Sequence, residues 1–301
     1  MPVIKPLTTP WTRSMGLDVP IVNAPMGGAA GGGLAAAVSR AGGLGMVGMG
    51  SAATGDLLSA ELAPVRDLGL PFGIGLVHWV MTARPELLDI ALTARPALLS
   101  VSFGDDWNWV RRAQDAGVAT VTQVPTVDAA RRAVAAGVDV VVARGAEGGG
   151  HGEPRMGTLP LLADVLDAVD VPVLAAGGIA SPRGLAAVLA AGAAGAWVGT
   201  AFAVCPEAVT ASDARSALLD AAGTDTTVTR EFDLAQGYPW PAYLPERVLT
   251  DRAGAATPVN AGQAVGQVSA AEPADALIAR WVEGAAALLS RWGGLSAAGG
   301  D

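Results

Sequence analysis

His151 is the residue best suited to acid–base chemistry. It sits in Ala146-Glu147-Gly148-Gly149-Gly150-His151-Gly152, and imidazole is the side chain whose ordinary titration range brackets neutral pH. The glycines around it leave space in front of the ring, as a proton donor or acceptor in a cleft requires. The other histidine, His78, stands beside Trp79, where packing and chemistry are equally good readings. Glu147 is a candidate partner for His151 or an exposed loop carboxylate, and Arg144 is either a rim anion binder or a solvated charge. Cys205, the single cysteine, precedes Pro206 and reads as a small core residue rather than a nucleophile. It excludes an intramolecular disulfide. Two histidines and no carboxylates clustered along the sequence are too few ligands for a metal centre, so no metal is expected.

A second chemical feature is a pair of glycine-ended apolar runs. Val171–Ala176 is followed by Gly177 and Gly178, and Gly195–Val198 by Gly199 and Thr200. Between them, Ser181-Pro182 opens a helix, with Ser as N-cap and Pro in its first turn. Two neighbouring parallel strands ending in small residues make a rim whose backbone N–H groups can hold a phosphate. The alternative is a pair of tight turns with no ligand.

These residues need a scaffold that brings strand ends together. Eight apolar runs have the length and character of buried strands: Pro20–Ala24, Leu44–Gly48, Phe72–Val77, Leu98–Ser102, Ala119–Gln123, Asp139–Ala143, Val171–Ala176 and Gly195–Val198. Helical runs fall between them, and a Gly just past a helix recurs at Gly42, Gly117, Gly137 and Gly192. Eight such units predict an α/β fold, a (β/α)8 TIM barrel, with strands seven and eight carrying the phosphate rim. The competing open sheet calls for a GxGxxG turn after the first strand, and Gly27–Gly33 lacks that spacing.

The alternation stops after Pro206. Residues 207–258 are expected to form a small inserted, cap-like segment near the C-terminus. It contains a helical stretch (Ser212–Ala222), a Thr-rich run (Thr224–Thr229) and an aromatic loop (Tyr238–Tyr243) that either lids the site or is anchored by its rings. The barrel then comprises 1–206 and 259–301, with helix from Asn260 to Ser290 and a frayed tail from Gly293. A net charge of −9 and a pI of about 4.7 argue against a nucleic-acid or anionic-membrane surface. The Ala/Gly stretch Ala24–Ala53 is too interrupted to span a membrane. The N-terminus lacks a basic region followed by an apolar core, which predicts a cytoplasmic protein. Oligomeric state is not legible.

Five segments in register, Pro20–Met26, Ala41–Gly45, Gly148–Gly152, Ala176–Gly178 and Gly199-Thr200, together resemble the nitronate monooxygenase (2-nitropropane dioxygenase) family, and Ala261-Gly262-Gln263 resembles a later family segment. The resemblance implies an FMN-binding TIM barrel that oxidises alkyl nitronates with O2, with His151 as the active-site histidine. It places the flavin phosphate on Gly178, Gly199 and Thr200, and the flavin ring along Ala24, Pro25 and Met26. Gln123, Gly149, Gly150, Ala176, Gly177, Gly262 and Gln263 complete the expected cofactor-binding set. Related FMN-dependent enoyl-ACP reductases and quinone reductases share these motifs, so the alternative is an NAD(P)H-dependent FMN enzyme that reduces enoyl thioesters or quinones. Two positions depart from the family pattern. Gly75 stands where many members carry Asn, and Gln123 where some carry Lys. Losing a cation there removes a stabiliser of reduced, anionic flavin, although Gln123 can still hydrogen-bond the ring.

Overall fold

The computed structural model describes residues 6–250 and 257–292; the expected frayed tail from Gly293 lies outside them. Eight parallel strands form one sheet: β1 (Ile21–Asn23), β2 (Gly45–Gly48), β3 (Phe72–Val77), β4 (Leu98–Ser102), β5 (Ala119–Val124), β6 (Val140–Arg144), β8 (Val173–Ala176) and β9 (Gly195–Val198). They run in the order β1-β9-β8-β6-β5-β4-β3-β2. A parallel bridge from Val22 to Leu44 joins the two ends, so the sheet closes into the expected (β/α)8 barrel. The bridge is reinforced by a side chain. The Asn23 amide, fully buried, donates from Nδ2 to the Met46 carbonyl (2.9 Å) and accepts at Oδ1 from the Met46 N–H (2.8 Å). A carboxamide has the same donor and acceptor as a peptide group, so Asn23 extends the ladder where the backbones diverge.

The strands are apolar on both faces because one face fills the barrel and the other meets helices. Val22, Leu44, Met46, Leu98, Val121, Val142, Leu174 and Trp197 belong to one buried cluster, apart from the larger one packed under the helices. Helix caps follow the sequence signals: Thr54, Thr126 and Ser181 each accept at the side chain from a backbone N–H of the first turn.

Beyond the barrel, β7 (Gly150–His151), β10 (Thr226–Thr229) and β11 (Glu246–Leu249) form an antiparallel sheet in the order β10-β11-β7. The Thr-rich run is therefore a strand, and its partner pairs directly with the His151 segment. The last helix begins at Ala274, not Asn260; between them lie an extended segment and a single 3-10 turn, Val265–Gln267. Gly262 and Gly266 explain the delay. Each packs against backbone where a Cβ would lie within 3.0 Å of its neighbour, a close approach that a regular helix with side chains does not allow. No described helix is long and apolar enough to cross a membrane.

Candidate active site

Loop 145–152 leaves β6 and reaches His151 on β7. Arg144, the last residue of β6, shapes it from beneath: its Nη2 donates to the carbonyls of Gly148 (2.9 Å), Gly149 (3.1 Å) and Gly150 (3.1 Å). Arg144 is thus neither a solvated charge nor an idle one. Burial, then the neighbouring Arg247, bring its pKa down to about 10 against the pull of Glu147, which leaves it charged at neutral pH. Glu147 caps the helix 158–166, accepting from the Thr158 N–H (2.9 Å) and hydroxyl (2.8 Å). It is a structural cap rather than the partner of His151.

The partner is Asp233. Its Oδ2 lies 2.9 Å from His151 Nε2, and both side chains are largely buried. A carboxylate only accepts, so Nε2 carries the proton and Nδ1, which has no hydrogen-bond partner among the described residues, is the free basic nitrogen. Glu246 lies directly across the β7–β11 ladder from His151. It is 1% exposed, and its Oε1 is buried without a hydrogen-bond partner. Burial and the facing Asp233 push its carboxyl up to about 7. Burial lowers the His151 pKa, opposed by Asp233 and assisted by Arg144. Among the described residues, His151, Asp233 and Glu246 are the one group whose donor atoms, all within 4.8 Å of one another, could hold a metal. The His–Asp contact has hydrogen-bond length, and a shared proton accounts for it.

One face of the imidazole is covered by Trp240. The rings stack with centroids 3.6 Å apart and planes 8° from parallel. Trp240 also meets Trp79 and Phe103 edge-on and donates from Nε1 to Ser51 Oγ (3.0 Å). The 238–243 loop therefore straps the mouth from the β7–β11 sheet to the end of β2. His78 opens the helix 78–83 after β3. A Cβ on Gly104 would lie 2.1 Å from its ring, so His78 packs on Gly104 and is not brought into the His151 cluster. Cys205 is fully buried, its thiol pushed to about 12 by burial and by Glu207 and Glu272. It is an inert core residue.

The structure sets most of the expected cofactor residues around the mouth and the rim, and Gln123 in the lining of a separate cavity. Ala24, Pro25 and Met26 cross the mouth in contact with glycines: a Cβ on Gly48 would lie 2.3 Å from the Pro25 carbonyl carbon, one on Gly75 2.3 Å from the Pro25 ring, and one on Gly199 3.5 Å from Met26 Sδ. With Pro25 placed as it is here, a side chain at Gly75 would collide with the Pro25 ring. Beyond Ala176, Gly177 and Gly178 both have positive φ (105° and 67°), and Gly178 lies against Glu147. A cavity of about 670 Å³ opens beside Gly178 and is lined by Ser181, Arg183, Gln267 and Gly284. Arg183 was not singled out in the sequence; its place in the first turn of a rim helix was the available signal. Gly262 and Gln263 are engaged internally. Their N–H groups donate to Thr200 Oγ1 (3.0 Å) and the Glu147 carbonyl (2.9 Å), while Gly149 packs against Ala261. These contacts dock segment 261–263 onto the loop that carries His151. A second cavity, of about 470 Å³, is lined by Phe103, Gln123, Arg132, Arg144, Arg155 and Tyr243 among others.

The chain is 35% identical over 227 residues to (3aS,4S,5R,7aS)-5-hydroxy-7a-methyl-1-oxo-octahydro-1H-indene-4-carboxyl-CoA dehydrogenase of Rhodococcus jostii, a match spanning 75% of this chain and 64% of that protein. It is 34% identical to a nitronate monooxygenase of Pseudomonas aeruginosa over 84% of each chain. Among solved structures, FabK from Thermotoga maritima superposes with a TM-score of 0.87 at 26% identity, covering 96% of this chain and all of that one. A nitroalkane oxidase from Streptomyces ansochromogenes superposes with a TM-score of 0.79 at 30% identity, covering 95% and 100%. The sequence profile described as nitronate monooxygenase matches residues 9–91 and 78–240, and the chain belongs to the nitronate monooxygenase family.

Proposed function

We propose that this protein is an FMN-dependent oxidoreductase that oxidises alkyl nitronates with O2, with His151 as its catalytic residue. The observation that carries the reading is the His151–Asp233 contact at the barrel mouth, with Nδ1 left free. The rim fits a flavin phosphate. Gly177 and Gly178 hold conformations that favour glycine, and the first turn of helix 182–190 brings Arg183 to a cavity whose lining contains no acidic side chain. Ala24, Pro25 and Met26 offer a half-buried bed for a ring. When bound, the flavin supplies the electron chemistry between nitronate and O2. The chain's own residues bind and orient the substrate. Nδ1 of His151 takes the α-proton of a neutral nitroalkane, and the imidazolium so formed donates to Asp233. Arg144, charged at neutral pH, holds the loop that carries His151 through the carbonyls of Gly148, Gly149 and Gly150. Trp240 covers the ring and excludes water.

The second reading is an NAD(P)H-dependent reductase of enoyl thioesters or quinones. It is favoured by the size of the 470 Å³ cavity, roomier than a short nitroalkane needs. Flavin released on denaturation and identified by chromatography tests the cofactor: FMN is expected, and stoichiometric FAD or no flavin after reconstitution overturns it. Anaerobic mixing of the yellow protein with nitronate, NADH or NADPH separates the two reactions by which reagent bleaches it. His151→Ala should retain flavin and lose on the order of 10²–10⁴-fold in turnover of neutral nitroalkane, with a smaller loss on preformed nitronate, which needs no proton removed.

A further inference from the structure

We propose that Asp233 and Glu246 are positioning residues that act with His151 as one proton-sharing unit, Asp233 fixing the imidazole so that Nδ1 faces the reaction and Glu246 holding a proton beside it. The proposal rests on the reading of His151 as the base.

The geometry supports it from three sides. Asp233, on the helix 231–236, meets Nε2 at 2.9 Å. Glu246 is opposite His151 in the β7–β11 ladder, so the strand pairing itself sets its distance from the ring. Its Oε1 is a buried acceptor without a partner. An ionised carboxylate in that position, facing the Asp233 carboxylate, would be poorly tolerated, whereas a carboxylic acid has a proton to donate toward Asp233. The groups facing the cluster are His151, Asp233, Glu246 and, from the end of β6, Arg144.

Nδ1 accepts the substrate's α-proton and the C–H electron pair stays with the substrate as nitronate. The imidazolium is then paired with one carboxylate, Asp233, while Glu246 remains neutral. Ionisation of Glu246 places a second negative charge near the ring and strengthens Nδ1 as a base. Two coupled protonation steps therefore belong to the cluster.

With only His78 and His151 in the chain, ring ¹⁵N NMR of the full-length protein resolves the titration of each. His151 should titrate in two steps in the wild type, the upper one near neutrality, and in one step in Glu246→Gln. Asp233→Asn should change the Nε2–H signature of the His151 ring and lower kcat/KM on neutral nitroalkane on the order of 10²-fold, with Asp233→Glu partly restoring both. The pH profile of kcat/KM on that substrate should lose its upper inflection in Glu246→Gln. A single-step titration of His151 in the wild type overturns the proposal without reference to any variant, as do superimposable wild-type and Glu246→Gln curves. Full turnover of neutral nitroalkane by His151→Ala would instead overturn the base reading itself.

Discussion

A buried carboxyl that keeps its proton makes stability depend on pH in an unusual direction. Glu246 is raised to about 7 in the folded protein, whereas the unfolded chain releases that proton near 4.5. Between those values the folded state binds more protons than the unfolded state, so stability falls as pH rises and levels off above about 7. The shift corresponds to roughly 3 kcal/mol. Glu246→Gln removes this contribution, and urea midpoints at pH 5 and pH 8 should lie closer together in the variant than in the wild type. Gly178 is a residue-scale test of the rim. Gly178→Asp adds backbone strain at φ 67° and a carboxylate beside Glu147; it should abolish flavin retention, as should Gly199→Asp, while far-UV circular dichroism stays near that of the wild type. Normal flavin content in either would place the phosphate elsewhere. His151 was legible in the sequence because a lone histidine among glycines is locally conspicuous. Asp233, 82 residues away, and Glu246 were not. The β7–β11 pairing sets Glu246 opposite His151 and the helix 231–236 brings Asp233 to its ring, contacts that no local spacing encodes.

At the scale of elements, the strands were legible because parallel strands buried on both faces leave continuous apolar runs; Phe72–Val77, Leu98–Ser102 and Gly195–Val198 match to the residue. The region after Pro206 was harder. Thr226–Thr229 is only half-buried and lacks an apolar signal, and the 260–273 segment is held by close backbone approaches at Gly262 and Gly266. The final helix 274–292 packs on helix 182–190 through a contact that demands a small residue: a Cβ on Gly284 would lie 2.7 Å from Pro182. Gly284 also lines the rim cavity. Gly284→Val should push the two helices apart, destabilise by about 1–3 kcal/mol and reduce flavin occupancy, read together by thermal melting and by the visible absorbance of the purified protein. Lost stability with unchanged flavin content would separate the helix contact from the rim.

Across the whole molecule, the barrel is a ring whose ladders are regular except at one joint. β1 and β2 share a single backbone bridge, the 3.0 Å hydrogen bond from the Leu44 N–H to the Ile21 carbonyl, and the two hydrogen bonds of the Asn23 side chain. Asn23→Leu fills the same space but leaves the Met46 N–H and carbonyl unpaired in the core, so a loss of about 2–4 kcal/mol is expected from denaturant unfolding. A loss under 0.5 kcal/mol would mean the joint closes without the amide. Asn23 is followed directly by Ala24, Pro25 and Met26, so the clasp of the ring and the bed proposed for the flavin are one continuous segment. Anything that settles on that bed must also hold the clasp shut. The exchange of the Met46 amide with solvent deuterium thereby becomes a gauge of occupancy: it should slow as flavin binds, by a factor that grows with ligand concentration over its dissociation constant, at a hydrogen that touches no ligand.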